Sequence, residues 1–576
     1  MKYKLKELSN NDYSDLINME TNLLKIRGIE NPNDYLHISD KYEIDYNKLN
    51  NKQNTMQEAV QCLLTHINNN DTIFTIADSD QDGVCSFAEL YLYLKNQFPN
   101  INLQYAIHTA KQHGISEDIK IPNDTKLLIV TDGGSNDYEQ HKILKDKGID
   151  IIILDHHDAD KISENAIVIN NQLCDYPNKQ LCGAGIVYKF LKALDDELWI
   201  DEADKYLDLV ALGLIGDSMN VSEMETKYYI TKGLNQITNK QFKALLEKQE
   251  YYTKGVININ NIAFYIVPLV NAIIRCGKQD EKQLLYKGFI EEYDEFDYKP
   301  KGKDTKVIKE DIYTRVARLC ANTKSRQDKM RDKAVKEISE LIEANNKLND
   351  KVLVINCNNK YGRNLTGVIA MKIADKYNRP CVLLNKTQDN IYKGSGRNTD
   401  RNDIKDLKQV LNDTKLFVGE GHPQAMGVSI KSNVPKGIEI LNNNLKNVKF
   451  DTSYQVDFII PFDELEDEIV CTISLLKGLW GKGVEEPLIA ITDVEVDIKD
   501  INVVGKSNNT IKFNIDGLDF IKFKVKEDDM LLKLASDWNN EISNSDNYVL
   551  NIVGKCSINS WDNKPQIIIS DYEIIQ

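Results

Sequence analysis

The chain has 576 residues, of which 41% are hydrophobic and 28% charged, with a formal net charge of −16 at pH 7. That length implies about three to four domains, and no apolar run approaches the ~20 residues of a membrane span. The acidic balance argues against a generally basic nucleic-acid-binding surface, though not against a local basic groove. Ten cysteines without CxxC spacing suggest neither a disulfide framework nor a zinc ribbon. The N-terminus, Met1-Lys-Tyr-Lys-Leu-Lys-Glu-Leu-Ser9, lacks the apolar segment of a signal peptide, so a cytoplasmic protein in a reducing compartment is expected.

Residues 1 to about 45 are polar and mixed, with Leu23–Gly28 as a helix-to-turn candidate. Apolar spacing predicts a helix over Met56–Ile67. It leads into Thr72-Ile-Phe-Thr-Ile-Ala-Asp-Ser-Asp-Gln-Asp-Gly83, an apolar, β-branched run that delivers Asp78, Asp80 and Asp82. On an extended backbone alternate side chains share a face, so three carboxylates would converge and require a cation. The same residues, Asp78 to Glu89, match an EF-hand calcium loop. An EF-hand needs an entering helix, however, and this entry is β-prone after the Asn68-Asn-Asn-Asp71 turn cluster.

Val84–Leu94 reads as a helix, and Asn102–Ile107, Lys126–Thr131 and Asp150–Leu154 read as strands. Continuous apolar runs alternating with helical segments predict a buried parallel sheet with helices on both faces. In such sheets ligands gather at the carboxyl ends of the strands. Three strands here end in acids: Asp78, Asp132 before Gly133-Gly134, and Asp155. One such acid reads as a helix cap or loop residue; three at equivalent ends read as a site. Asp155 is followed by His156-His157, two of only eight histidines, and imidazole beside carboxylates suits manganese and similar ions. Asp217 follows the apolar stretch Leu207–Gly216, and Leu181-Cys-Gly-Ala-Gly-Ile186 reads as a tight helix-to-sheet approach.

Residues 300–345 are charged with helical spacing, over Lys306–Leu319 and Gln327–Ala344, and read as a solvated linker helix. Val352–Ile355 opens a second α/β unit, where Gly362–Gly367, Lys393–Arg397 and Gly419–Pro423 read by themselves as glycine-rich turns. From about 451 the chain is strand-rich, with Thr510–Ile515, Asp519–Lys524, Tyr548–Val553 and Pro565–Ser570, which suggests a small barrel. Phe520, Phe523 and Trp561 read as core residues, with base stacking as the alternative.

Asp78-Ser-Asp-Gln-Asp-Gly83, Asp132, Asp155-His-His157 and Gly213-Leu-Ile-Gly-Asp217, in that order, resemble the four motifs of the DHH phosphoesterase superfamily. The resemblance is closest to the RecJ-like single-strand-specific 5′→3′ exonucleases. Leu181–Tyr188, Val267–Ala272 and Arg326-Gln327 resemble further segments of that family. It implies an α/β fold, in which a parallel-sheet DHH lobe is joined by a long helix to a smaller α/β DHHA1 lobe and followed by a C-terminal OB-like β-barrel. The expected divisions are 1–50, an N-terminal extension packing on the DHH lobe; 51–290, DHH; 291–345, a helical connection; 346–450, DHHA1; and 451–576, OB-like.

By carry-over from the family, Asp80, Asp82, Asp132, His156 and Asp217 are expected metal ligands, with Asp132 bridging. Asp78 is a ligand or an acid behind the ligands, and Asp155 and His157 orient the ligands or touch the scissile phosphate. The ions expected are Mn2+, or Mg2+, as a pair about 4 Å apart. Ser395, Arg397, Gly421 and His422 of the second lobe, with Arg275, would hold the substrate. Single-stranded DNA is the expected substrate, a helicase or single-strand-binding protein is a candidate partner, and no membrane is involved.

The chain departs from the family pattern at His108 and Leu269, where arginines are usual, at Asn364-Leu365 in place of a Trp-His pair, and at Glu420 within a triple-glycine run. Lost cations would weaken phosphate contacts and 5′-end recognition more than hydrolysis. Two other functions compete: a DHH phosphodiesterase acting on short oligonucleotides or cyclic dinucleotides, and a non-catalytic replication scaffold. The strand-rich tail argues against the first, and the intact acid and histidine set against the second.

Overall fold

A computed structural model describes the chain except residues 110–111, 117–118, 301–305, 400–401, 451–452, 506–507, 527, 539–546 and 560–561. Trp561 and the boundary expected at 451 therefore lie outside the described residues. The chain divides into a unit of residues 40–219 and 223–451, and a unit of residues 1–39, 220–222 and 452–576. The expected extension 1–50 is thus split, because Tyr3–Leu5 pairs in parallel with Tyr454–Val456, which draws residues 1–39 to the C-terminal strands.

The larger unit begins with a five-stranded, all-parallel sheet in the order Leu103–Ile107, Thr72–Ala77, Thr125–Thr131, Asp150–Asp155, Ile167–Asn170. Every residue of Thr72–Ala77 is buried, as expected of a strand covered on both faces. Ala77 pairs with Ile107, Ile76 with Val130, Thr131 with Leu154, and Asp155 with Asn170, so the carboxyl ends fall side by side. The helix after the first strand runs Gln81–Gln97, starting three residues before the expected Val84. Asp80 is its N-cap, its side chain accepting from Gly83 N at 3.1 Å, and Asp82 lies in its first turn.

The three acids therefore do not alternate along an extended backbone. They span a strand end, a cap and a helical turn. The tightness of this bend explains Gly83, where a Cβ would stand 2.6 Å from Asp78 Cβ. An EF-hand is excluded because a strand enters the loop, and Glu89, its twelfth position, is fully buried inside the helix.

Ile312–Ala344 is one helix of 33 residues rather than two segments. Nothing between Cys320 and Gln327 breaks it, and buried Val316, Cys320, Thr323 and Gln327 keep a single inward face at helical spacing. It leads to a second five-stranded sheet in the order Phe417–His422, Ala425–Ile430, Tyr392–Arg397, Cys381–Lys386, Leu353–Asn356, antiparallel except for the last pair. Ile338 and Ile342 of the long helix pack with Ile369 and Ile373 on one side of this sheet, and Leu407, Leu411 and Leu441 fill the other.

Lys393–Arg397 and Gly419–His422 lie within strands, not turns. In the first of them the glycines serve close packing: a Cβ on Gly396 would lie 2.5 Å from Met426 Sδ.

Ile259–Cys276 is the one stretch among the described residues long and apolar enough to cross a membrane. Half of it is buried in the fold, and it carries Arg275. All ten cysteines are free thiols.

The smaller unit holds a seven-stranded mixed sheet in the order Phe458–Pro461, Ile489–Asp497, Asn547–Ile558, Pro565–Ile574, Leu518–Lys522, Thr510–Ile515, Asn502–Val504. Phe520 is fully buried and stacks on Phe513 at 5.1 Å, whereas Phe523 is 56% exposed. Buried Asp457 pairs with Arg27 Nη1 at 2.8 Å, and the Arg27 guanidinium lies over Trp480, fixing the N-terminal helix Met19–Ile26 to this unit.

Candidate active site

Each carboxyl-end acid has a distinct setting. Asp78 is buried; its Oδ2 meets His113 Nδ1 at 2.6 Å and its backbone carbonyl accepts from Tyr286 OH at 2.6 Å. Asp82 is buried and accepts from the backbone N–H groups of Gly183 (2.5 Å) and Ala184 (3.1 Å) at the start of the helix Gly183–Leu198. Asp132 is buried in a left-handed conformation, φ 60°, directly beyond its strand. His156 Nε2 lies 3.2 Å from Asp132 Oδ1, 3.6 Å from Asp217 Oδ2 and 3.8 Å from Asp82 Oδ2. The sequence-predicted ligands Asp82, Asp132, His156 and Asp217 thus converge, while Asp78 and Asp80 group with His113 beside them.

Asp155 has a different role. Its Oδ1 accepts from the N–H groups of His156 and His157 and from His157 Nδ1 at 2.8 Å, and its Oδ2 accepts from Ser135 N at 3.1 Å. Burial raises this carboxyl, but those donors and the two histidines outweigh it and hold it well below the usual range. Asp155 therefore holds the His157 imidazole and the backbone that carries His156. Burial also lowers His156 to about 3, which keeps the imidazole neutral and able to donate a lone pair to a metal.

Asp132 is driven well above the ordinary carboxylate range by burial, with Asp82, Asp80, Asp78 and Asp217 adding repulsion. Burial pushes Asp82 up to about 6, with the Cys182 and Ala184 hydrogen bonds opposing it. Oδ1 of Asp78 and Oδ1 of Asp132 are buried without a hydrogen-bond donor. Crowded, dehydrated carboxylates around a neutral imidazole fit hard or borderline divalent cations such as Mn2+ or Mg2+.

This crowding has a pH signature. A carboxyl with a raised folded pKa takes up a proton on folding, so its stabilisation is complete below the unfolded pKa near 3.8 and is lost as pH rises through about 6. Metal-free protein is therefore expected to lose stability between about pH 4 and 6 relative to Asp82→Asn, measured as the difference between the two unfolding curves; parallel curves would contradict this.

Two glycines make the cluster possible. A Cβ on Gly183 would stand 2.5 Å from Asp132 Cβ, and one on Gly213 would stand 2.6 Å from Asp82 Oδ1. Gly183→Ala is expected to displace Asp132 and reduce turnover by about 10²-fold while circular dichroism stays unchanged. Full activity in that variant would show that the contact yields freely.

The second sheet supplies the facing wall. The His422 ring lies 6.2 Å from that of His157, which in turn lies 5.8 Å from that of His113. Gly421 is exposed beside it with φ 109°. Ser395 Oγ meets Thr366 Oγ1 at 2.9 Å at the start of the helix Thr366–Tyr377, and a Cβ on Gly367 would lie 2.7 Å from Arg397 Nη2. Burial lowers Arg397 to about 10, and the neighbouring Arg275 cation adds to the effect. Arg275 also feels the Asp80 charge, and its backbone carbonyl accepts from Asn364 Nδ2 at 3.2 Å. Arg275 and Arg397 thus lie together with Ser395 beside Arg397, Arg275 feels the Asp80 charge, and His422 stands against His157.

Residues 72–214 match the DHH family N-terminal domain, and residues 456–571 match the RecJ OB domain. The chain is 37% identical, over all of its length and 99% of the relative's, to the SPbeta prophage-derived protein of Bacillus subtilis (strain 168) that bears the name single-strand DNA-specific exonuclease YorK. The chain belongs to the RecJ-like DHH exonuclease family. Its fold is that of Thermus thermophilus RecJ solved in complex with Mn2+, with a TM-score of 0.71 at 16% identity over 100% of this chain and 78% of that one. The Mg2+ complex of the same RecJ gives a TM-score of 0.66 at 17% identity, covering 100% and 77%.

Two positions where this chain departs from the RecJ-like pattern are internal. His108 is buried, bonded to Ser116 Oγ at 3.1 Å, with Nε2 3.9 Å from Asp78 Oδ1, and Leu269 is buried in the helix Val267–Cys276. Sequence reasoning missed His113 and Thr366. His113 sits six residues beyond a strand end, where only the loop's path brings it back to Asp78. Thr366 is one hydroxyl in a polar run, and its position at a helix start was its only signal.

Proposed function

We propose that this chain is a metal-dependent exonuclease that hydrolyses phosphodiester bonds of single-stranded DNA, proceeding 5′→3′. The observation that carries the reading is the cluster of buried Asp82, Asp132 and His156 with half-buried Asp217, facing Arg275, Arg397 and His422 in one cleft. Kinship with a relative named as a single-strand DNA-specific exonuclease supports the substrate. Asp80, Asp82, Asp132, His156 and Asp217 would hold a pair of Mn2+ or Mg2+ ions, with Asp132 shared and Asp78 behind. When bound, such ions lower the pKa of the attacking water and neutralise charge on the phosphate.

The chain's own residues do the rest. Asp155 fixes His157 through Nδ1, so that ring is presented to the cleft between His113 and His422. Arg397 and Arg275 offer forked donors to phosphate oxygens, and Ser395 and Thr366 hydroxyls sit beside them. We assign residues 51–290 to the catalytic lobe, 291–345 to the connection, 346–450 to the substrate-holding lobe and the strands after 451 to single-strand binding.

The test is hydrolysis of a 5′-labelled single-stranded oligonucleotide beside its duplex and a dinucleotide, with Mn2+, with Mg2+ and with chelator. Loss of the single strand only, starting at its 5′ nucleotide and stopped by chelator, is expected. Rapid cleavage of the dinucleotide with the long strand spared would replace this reading with a short-substrate phosphodiesterase. Tight single-strand binding without cleavage would leave a scaffold.

A further inference from the structure

A second group of metal-competent side chains lies at the opposite, amino ends of the same strands. Cys62 and His66 occupy positions i and i+4 of the helix Met56–Asn68, so they share one face. Asp150 opens the strand whose other end carries Asp155, about 17 Å along the chain axis. Ligand atoms from Cys62, His66 and Asp150 all lie within 4.8 Å of one another. We propose that these three residues form a second metal site, one for a zinc-class transition ion, that ties the helix to the sheet.

The geometry carries this beyond a hydrogen-bonded ion pair. His66 Nε2 and Asp150 Oδ2 are 3.1 Å apart, close to the roughly 3.3 Å edge of a tetrahedron with bonds near 2.05 Å. The other imidazole nitrogen, Nδ1, is held by Asp71 Oδ2 at 2.8 Å, the carboxylate–histidine arrangement that fixes a ligand's tautomer and raises its basicity. Lys145 Nζ takes the opposite Asp150 oxygen, Oδ1, at 2.7 Å, so Oδ2 is the ligand atom. The thiol decides the class of ion: sulfur with imidazole selects zinc or cobalt over manganese and magnesium.

Binding forms metal–sulfur, metal–nitrogen and metal–oxygen bonds from ligand lone pairs. Two protons leave to solvent as the bonds form: that of Cys62, which burial and then Asp150 hold on the sulfur, and that of the hydrogen bond between His66 Nε2 and Asp150 Oδ2. Water would complete the tetrahedron. The ion would be distinct in kind and place from those at the carboxyl ends.

Cobalt is the probe, because a thiolate ligand gives it a near-ultraviolet charge-transfer band that carboxylate and imidazole ligands do not. Full-length protein stripped of metal and titrated with Co2+ is expected to show the band, and so is Asp132→Asn. Cys62→Ser is expected to lose it while retaining Mn2+-supported turnover, and Asp71→Asn to bind Co2+ about 10–100-fold more weakly. In the Asp132→Asn background, Zn2+ should raise the melting temperature, and adding His66→Gln should remove that rise. Absence of the band in folded wild-type protein would overturn the proposal. So would a band that survives Cys62→Ser and disappears in Cys182→Ser, whose thiol lies beside Asp82.

Discussion

Asp132→Asn is expected to reduce hydrolysis of single-stranded DNA by about 10⁴-fold, the scale seen when one member of a cooperating catalytic set is removed. In the metal-free state the same variant is expected to melt at a higher temperature than wild type. Both effects have one cause. Asp132 is buried, Asp82, Asp80, Asp78 and Asp217 all raise its pKa, and its Oδ1 has no hydrogen-bond donor. Without a cation that arrangement is repulsive, and an amide of the same shape relieves it. With a cation the order reverses: Mn2+ at a hundred times its Kd stabilises wild type by about 2.7 kcal/mol, a gain the variant largely loses. Melting curves of both proteins with and without Mn2+ therefore form a cycle. A metal-free variant less stable than wild type would show that Asp132 is held by packing rather than set against its neighbours, and would remove it from the ligand set.

The reach and limits of the sequence follow from the same residues. Asp132 and Asp155 were legible because each closes a continuous apolar strand, and strand ends in a parallel sheet converge whatever the loops do. Asp78, Asp80 and Asp82 were legible as a group but not in arrangement. Alternation along a strand placed them on one face, whereas Asp80 caps a helix and Asp82 lies within it, opposite Asp217 and His156. Helix propensity across Gln81-Asp82-Gly83 is poor, so only the tertiary bend against Asp78 reveals the early start. Lys393–Arg397 read as a turn because glycines mark turns locally; the reason for them, close strand packing, lies at Leu383 for Gly394 and about 30 residues away at Met426 for Gly396. His113 depends on how a loop returns to the sheet, and the approach of Asp150 to Cys62 and His66 on how the helix packs on it, which no periodicity encodes.

Arg397→Ala is expected to raise KM for a single-stranded oligonucleotide by roughly 10–100-fold, the value of one charge-assisted phosphate contact of about 1.5–3 kcal/mol, with a much smaller change in kcat. Arg397 is half-buried, donates through Nη1 to the Gly396 carbonyl at 2.6 Å, and lies close enough to Arg275 for that cation to disfavour its charge. Two like charges held together in a cleft are destabilising alone and become favourable around an anion, so under the proposed function the pair would serve as a phosphate receptor.

Three consequences separate this from a structural role. Arg397→Lys keeps the charge but not the fork, and should recover only part of the affinity. The salt dependence of binding should fall by roughly one phosphate contact, a slope change of about 0.7 for a single strand. The melting temperature should not drop, because truncation removes a repulsion. A large fall in kcat at unchanged KM would instead put Arg397 at the reacting phosphate, where its contact forms only as charge develops. Since the His422 ring, on the same sheet, faces His157 at 6.2 Å, the paired variant His422→Ala discriminates: additive KM effects place both residues on the standing substrate, and a shared loss in kcat places both at the bond being broken.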